Sequence, residues 1–199
     1  VKELIQTIED QHIPNYEILI SGPDPYNKDE ANKNPYLKLV GDVQLEEDIR
    51  PPLCHKKNRI IDQASYNNIC IMHDRYLLPD NWYEQMKKYG NFFEALCLKT
   101  FNLDGQRFGV DWMKFDPSIS GRKHLNRALL YNEWHRDAII PGGSFIVKKN
   151  LFEHIKLDER LHWDEMEDMQ LSRMAVLSGL LIQLDPDNYY ISRQVRHGV

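Results

Sequence analysis

Asp74 closes a run with the chemistry of a ligand anchor. Ile69-Cys70-Ile71-Met72 is a short apolar stretch that stops at His73, Asp74 and Arg75 before Tyr76-Leu77-Leu78 and Pro79. A buried strand ending this way delivers ionisable groups to one edge of a sheet, where ligands settle in open α/β folds. A carboxylate there suits a divalent cation and its phosphates; the alternative is a strand that runs out into a polar turn. Glu167 and Asp168 form a second centre at the start of a helix, with Trp163 just ahead and Gly142-Gly143 about twenty residues before that. They read either as ordinary first-turn acids, favoured by the helix dipole, or as a general base beside an aromatic platform and a backbone open to close approach by a ring. His197, beside Arg196, is a terminal imidazole. It is either simply exposed or, with Asp74 and phosphate oxygens, part of a set that fits Mn²⁺ or Mg²⁺.

These groups need a framework, and the chain supplies an α/β one. Val1, Leu4, Ile5 and Ile8 make a helical stripe ending by Pro14, Tyr16 to Ile20 a strand, and Tyr36 to Val40 another. Lys56 to Asn68 reads as a helix, followed by the strand ending at Met72 and a helix after Asp80 as N-cap. Phe92 to Phe101 reads as a strand, with Gln106 to Phe115 pairing to it as a hairpin across Asp104-Gly105. Residues 116–138 lose periodicity, and their Trp134 and His135, with Trp163, are candidates for acceptor contact. Phe145 to Val147 is a strand and Lys149 opens a helix. Met166 to Ser178 is a helix capped by Gly179, and Leu180 to Leu184 and Tyr189 to Ile191 are two strands.

Composition narrows the function classes. The 199 residues suffice for one domain with one core, and a net charge of −5 argues against a nucleic-acid backbone binder. Three widely spaced cysteines indicate neither a disulfide framework nor a thiolate zinc site, which favours a reducing cytoplasm. No apolar run approaches the ~20 residues of a membrane span, and no signal-peptide layout opens the chain.

Taken together, Asn15-Tyr16-Glu17-Ile18-Leu19-Ile20 after an amphipathic helix, Lys57-Asn58-Arg59 in the next helix, the strand ending at His73-Asp74, Pro141-Gly142-Gly143 and Glu167-Asp168 followed by Arg173 resemble a GT-A fold nucleotide-sugar glycosyltransferase. The nearest kinds are the family 2 enzymes, with β-1,4-galactosyltransferase-like motifs at the C-terminus. In brevity the chain resembles the minimal GT-A enzymes of phages, including a cyanophage one, for which the location would be the host cytoplasm. The resemblance implies a single domain with a mixed, mostly parallel sheet flanked by helices and lacking the usual first strand. Residues 1–110 would be the nucleotide-binding half and 111–199 the acceptor and catalytic half. It implies an inverting, metal-dependent transfer of a sugar from a UDP-sugar donor to a saccharide or other hydroxyl acceptor. Asp74 would be the second aspartate of an Asp-x-Asp motif and bind Mn²⁺ or Mg²⁺, with His197 completing the metal site and Gln194 a weaker candidate there. Arg59, with Lys57 and Asn58, would lie at the nucleotide, and His73 would be the variable middle position of the motif. Gly142 and Gly143 would line the donor sugar and acceptor region with Trp163, and Asp168 would be the catalytic base beside Glu167.

Two departures qualify the match: Met72 stands where the first aspartate belongs, and Ser21-Gly22 replaces an acidic pair unless Asp24 substitutes. They leave open a nucleotide-sugar-binding protein without catalysis. A metal-dependent phosphohydrolase using Asp74, His197 and Glu167 is the remaining alternative.

Overall fold

The computed structural model describes residues 1–21, 31–41, 52–118, 126–162 and 165–195. The calls on Asp24, Trp163, Arg196 and His197 lie outside the described residues.

The first helix, α1 (Lys2–Glu9), buries Leu4 and Ile5, the inner part of the stripe read from the sequence. It leads to β1 (Ile18–Ile20), which pairs in parallel with β2 (Leu37–Leu39), Ile18 opposite Leu37. Helix α2 (Leu53–Gln63) starts three residues before the expected Lys56 because Pro52 serves as its N-cap residue, and it ends well before Asn68. Strand β3 (Asn68–Met72) follows, then β4 (Tyr76–Leu77) and α3 (Trp82–Tyr89). Asp80 does not cap α3: the N-cap residue is Asn81 without a side-chain bond, and the Trp82 amide donates to the Pro79 carbonyl at 2.9 Å.

Strand β5 (Ala95–Asn102) is the spine of a five-stranded sheet ordered β3-β9-β5-β10-β4, where β9 is Ser144–Lys148 and β10 is Ile182–Ser192. The sheet is mixed, as expected. Its longest ladder, β5 with β10, is parallel, and the other three junctions are antiparallel. Strands from either side of residue 110 share it. The two strands expected after Gly179 are one: β10 carries a register shift between Asp185 and Tyr189, where Pro186 has no N–H for the ladder.

Alternation along β5 explains the layering. Ala95 and Cys97 face a core with Ile61, Phe145, Leu171 and Ala175, while Leu96 and Leu98 face a second with Tyr76, Trp82 and Tyr190. Helix α4 (Glu167–Leu177) lies in the first layer and α3 in the second.

The hairpin expected across Asp104-Gly105 forms but is short: the Asn102 amide donates to the Gln106 carbonyl and the Phe108 amide to the Thr100 carbonyl, at 2.8 Å each, around a bridge of Phe101 with Arg107. Buried Asp111 diverts the chain. It accepts from the Thr100 amide at 3.0 Å, the Arg107 Nε and the Trp112 amide at 2.8 Å each, and the Tyr131 hydroxyl. Strand β6 (Met113–Phe115) therefore leaves to join β7 (Asn126–Ala128) and β8 (Ala138–Ile139) in a three-stranded sheet. Part of the segment read as irregular is thus ordered strand. The helix expected from Lys149 is a 3₁₀ turn, Lys149–Glu153.

Candidate functional site

Strand pairing brings the two chemical centres to one edge. Met72 at the end of β3 sits opposite Ser144 at the start of β9, so Gly142 and Gly143 run beside the turn that carries Asp74. The His73 amide donates to the Gly143 carbonyl at 2.8 Å. A Cβ on Gly143 would meet Arg75 Nη2 at 2.5 Å and the Tyr76 hydroxyl at 2.7 Å, so only glycine fits there. Arg75 is held by that packing, its guanidinium 5.0 Å from the Tyr76 ring centre and 5.8 Å from that of Phe108. The Arg75 carbonyl accepts from the Arg193 amide at 2.9 Å, which places the end of β10 at the same turn. Asp74 itself is open: its side chain is 68% exposed, with the Val1 amino group 3.8 Å away.

On the other side of the Gly-Gly segment stands the start of α4. A Cβ on Gly142 would lie 3.1 Å from Glu167 Oε1 and 3.3 Å from Asp168 Oδ2. Asp168 accepts from the Met169 amide at 2.8 Å and from the Gly142 amide at 3.3 Å. Ser172, one turn on, donates to the Asp168 carbonyl at 2.5 Å and accepts from the Ile140 amide at 2.8 Å, fastening α4 to β8. Burial first, and the charge of Glu167 second, push the Asp168 carboxyl above its ordinary range. Glu167 is buried against the Lys57 ammonium, 3.3 Å from Oε1, with both side chains at most 10% exposed. Lys57 is thus placed behind the acid pair, with a counter-charge that tends to lower the Asp168 pKa.

The remaining sequence candidates separate. Asn58 spends its amide on the protein: it donates to the Leu157 carbonyl at 2.9 Å and Glu159 at 3.0 Å, and accepts from the Leu157 amide at 3.1 Å. Arg59, two residues beyond Lys57 on α2, points away from Lys57 and does not line the large groove that Lys57, His73 and Asp74 share. Trp134 is fastened by its indole N–H to the Ile182 carbonyl at 2.9 Å, at the end of β10 away from Arg193. His135 accepts from the Asp137 amide at 3.1 Å. Gln194 is exposed just past β10, its carbonyl accepting from the Ser192 hydroxyl at 2.8 Å.

Sequence reasoning missed three features of the site. Lys57 and Glu167 are 110 residues apart, and no local pattern announces a buried ion pair at that separation. Met166, the residue before α4, has φ of 63°, an uncommon left-handed conformation for a side chain of its size. Beside it lies a cavity of about 480 Å³ whose walls include Leu161, Met169, Gln170 and Arg173.

No family model matches this chain, and no curated protein does. Solved structures do. A crystal structure of GalNAc-T7 with UDP, GalNAc and Mn²⁺ superposes with a TM-score of 0.66 at 14% identity, over 96% of this chain and 41% of that one. S. aureus TarS 1–349 in complex with UDP-GlcNAc gives 0.64 at 14% identity, over 98% and 56%. A putative glucose-1-phosphate thymidylyltransferase from Bacillus anthracis gives 0.54 at 13% identity, over 100% and 84%. The chain spans about two fifths of GalNAc-T7 and a little over half of the TarS fragment. With Asp74 and Asp168 on either side of a Gly-Gly segment at one edge of a mixed sheet, the chain has the GT-A fold of the nucleotide-sugar glycosyltransferases that its sequence resembles.

Proposed function

We propose that this chain transfers a sugar, with inversion, from a UDP-sugar to a hydroxyl acceptor, assisted by Mn²⁺ or Mg²⁺. The observation that carries the reading is the pairing of two unlike carboxylates across Gly142-Gly143: an exposed one at Asp74 and a buried one with raised pKa at Asp168. An exposed carboxylate suits the binding of a cation, and a buried one with raised pKa suits the handling of a proton.

Asp168 takes the proton of the acceptor hydroxyl. The acceptor oxygen then forms its bond to the anomeric carbon from the face opposite the diphosphate, as the bond from that carbon to the diphosphate oxygen breaks. Lys57 balances Glu167, so that Asp168 can lose its proton beside only one other, compensated, carboxylate. Gly142 and Gly143 let the Asp74 turn and the start of α4 pack closely on one segment, and the cavity beside Met166 and Arg173 is the proposed acceptor side.

Asp74 fits a metal that takes most of its ligands from a diphosphate and water. It is open and weakly paired, and among the described residues no three of His, Cys, Asp and Glu converge as a protein cage would require. Asp74 would hold the ion, with His197 as proposed partner; Arg193, four residues earlier, is bonded to the Asp74 turn. When bound, the ion offsets charge on the departing diphosphate.

One observation favours a second reading. Met72 packs against the apolar cluster around Trp82 and Tyr190 and offers no ligand where the family has an aspartate. A chain that binds UDP-sugars without turning them over would then result. Release of UDP from a panel of UDP-sugars with saccharide acceptors and Mn²⁺ decides between them. Acceptor-dependent UDP release supports transfer; calorimetric UDP binding with no release from any donor overturns it in favour of binding alone.

A further inference from the structure

The cavity between α4 and the three-stranded sheet has walls that select one kind of ligand. Its volume of about 480 Å³ falls in the roughly 300–1,000 Å³ range of small-molecule pockets. Phe115 of β6, Ile139 of β8, Leu161, Met166, and Met169 and Val176 of α4 make it largely apolar. Ile139 is buried, but the other five are only half-buried, so the protein's own packing leaves part of their surface uncovered.

The backbone ties this cavity to Asp168. Met166, with its φ of 63° in the left-handed region, joins the cavity wall, while Glu167 and Asp168 directly after it stand against Gly142. A backbone held in that region persists only where its surroundings fix it, and here it sets an apolar side chain and a carboxylate on two sides of one helix start. Met169 and Ser172, which follow Asp168 on α4, return to the cavity wall.

The polar side chains of the wall are mostly bonded already. Ser172 donates to the Asp168 carbonyl and accepts from the Ile140 amide, Glu165 accepts from the His162 amide at 2.8 Å, and the Asp137 carboxylate lies 3.6 Å from Arg136 Nε. Arg173 reaches solvent. Gln170 turns its amide nitrogen to the Met174 sulfur at 2.7 Å, because a thioether only accepts, and its Oε1 is buried with no hydrogen-bond partner among the described residues. A sugar ring placed here would give up its bonds to water and find few groups to replace them. An apolar group loses nothing of the kind, and two flexible methionines adapt to its shape.

We propose that this cavity binds the apolar aglycone of an alkyl or aryl glycoside and, resting on the reading of Asp168 as general base, that such glycosides are the hydroxyl acceptors. The sugar lies toward Asp168 and the aglycone against Met166 and Met169.

The test measures binding without donor, so that it stands apart from turnover. Calorimetry on the full chain compares methyl, phenyl and hexyl β-glucosides, the last below its micellar concentration, and methyl-group NMR follows Met166 and Met169. The phenyl and hexyl compounds should bind at least ~10-fold tighter than the methyl one and shift both methionine signals. Met169→Lys and Val176→Lys, where Tm shows them folded, should lose that preference. Equal affinities, unmoved methionine signals, or a preference that survives in the folded variants overturns the proposal. Acceptor-dependent UDP release separates it from the transfer reading. Release with methyl glucoside at the same kcat/KM as with hexyl glucoside overturns the proposal and leaves transfer standing; aglycone binding with no release from any UDP-sugar removes the transfer reading, and the acceptor role with it, and leaves the aglycone site standing.

Discussion

At the scale of single residues, Asp168 concentrates the proposed chemistry. Its raised pKa, caused first by burial and then by Glu167, predicts that turnover increases with pH along a limb lying above the ordinary Asp value of about 3.9. Asp168→Asn should lower turnover about 10²–10⁴-fold while UDP binding by calorimetry persists. The same shift has a sign in stability. Because folding raises this pKa, the ionised carboxylate opposes the native state: stability is full below the unfolded Asp pKa and falls as pH rises through the folded one. The Tm of Asp168→Asn, relative to the parent, should therefore improve across that interval, and a Tm difference independent of pH would contradict the assignment. Lys57 tunes the same group. Lys57→Met leaves Glu167 buried without a counter-charge, a loss of about 3–5 kcal/mol. At about 2–4 °C per kcal/mol that is a fall in Tm on the order of 10 °C, with the turnover limb moved to higher pH. Adding Glu167→Gln should restore most of the Tm and bring the limb back down.

Elements show what was legible and what was not. Helix stripes and apolar strands announced themselves: α1 buries Leu4 and Ile5 of its stripe, α4 buries Leu171 and Ala175 one turn apart, β3 buries alternate residues, and β5 is buried along most of its length. The turn at Asp104-Gly105 was legible, but the hairpin was read too long, because Asp111 acts through donors on Thr100, Arg107 and Tyr131 that no spacing rule gathers. Asp74 and Asp168 were found as acids at element ends. Their juxtaposition depends on the β3–β9 register and the close packing of Gly143 on Arg75, which are tertiary facts. Asn58 stands in the same motif as Lys57, and its amide is bonded to Leu157 and Glu159, which is also a tertiary fact. Asp111→Ala tests the element reading. It strands several buried donors, at about 1–3 kcal/mol for the worst of them, and should speed amide exchange in β6 and β7 more than in β3 or β9. Uniform acceleration across all four strands would mean that Asp111 stabilises the whole molecule rather than this junction.

For the whole molecule, binding and folding are linked, and that linkage tests the proposed metal independently of turnover. No helix among the described residues is long and apolar enough to cross a membrane. A ligand that binds only the native state adds RT ln(1 + [L]/Kd), about 2.7 kcal/mol at a hundredfold excess over Kd, or roughly 5–10 °C in Tm. Asp74 offers one exposed carboxylate, which alone holds a divalent ion weakly; the ion becomes firmly held only when the diphosphate contributes oxygens. Mn²⁺ alone should thus shift Tm little, and UDP alone modestly, while the two together shift it by more than the sum of their separate effects. Asp74→Ala should abolish the excess and leave the UDP-only shift in place, because that side chain touches neither core and its loss costs the fold little. Additive shifts in the parent chain, or an excess that survives Asp74→Ala, would remove Asp74 from the metal site and leave the diphosphate to be met by other groups of the same groove, such as Lys57 and Arg75.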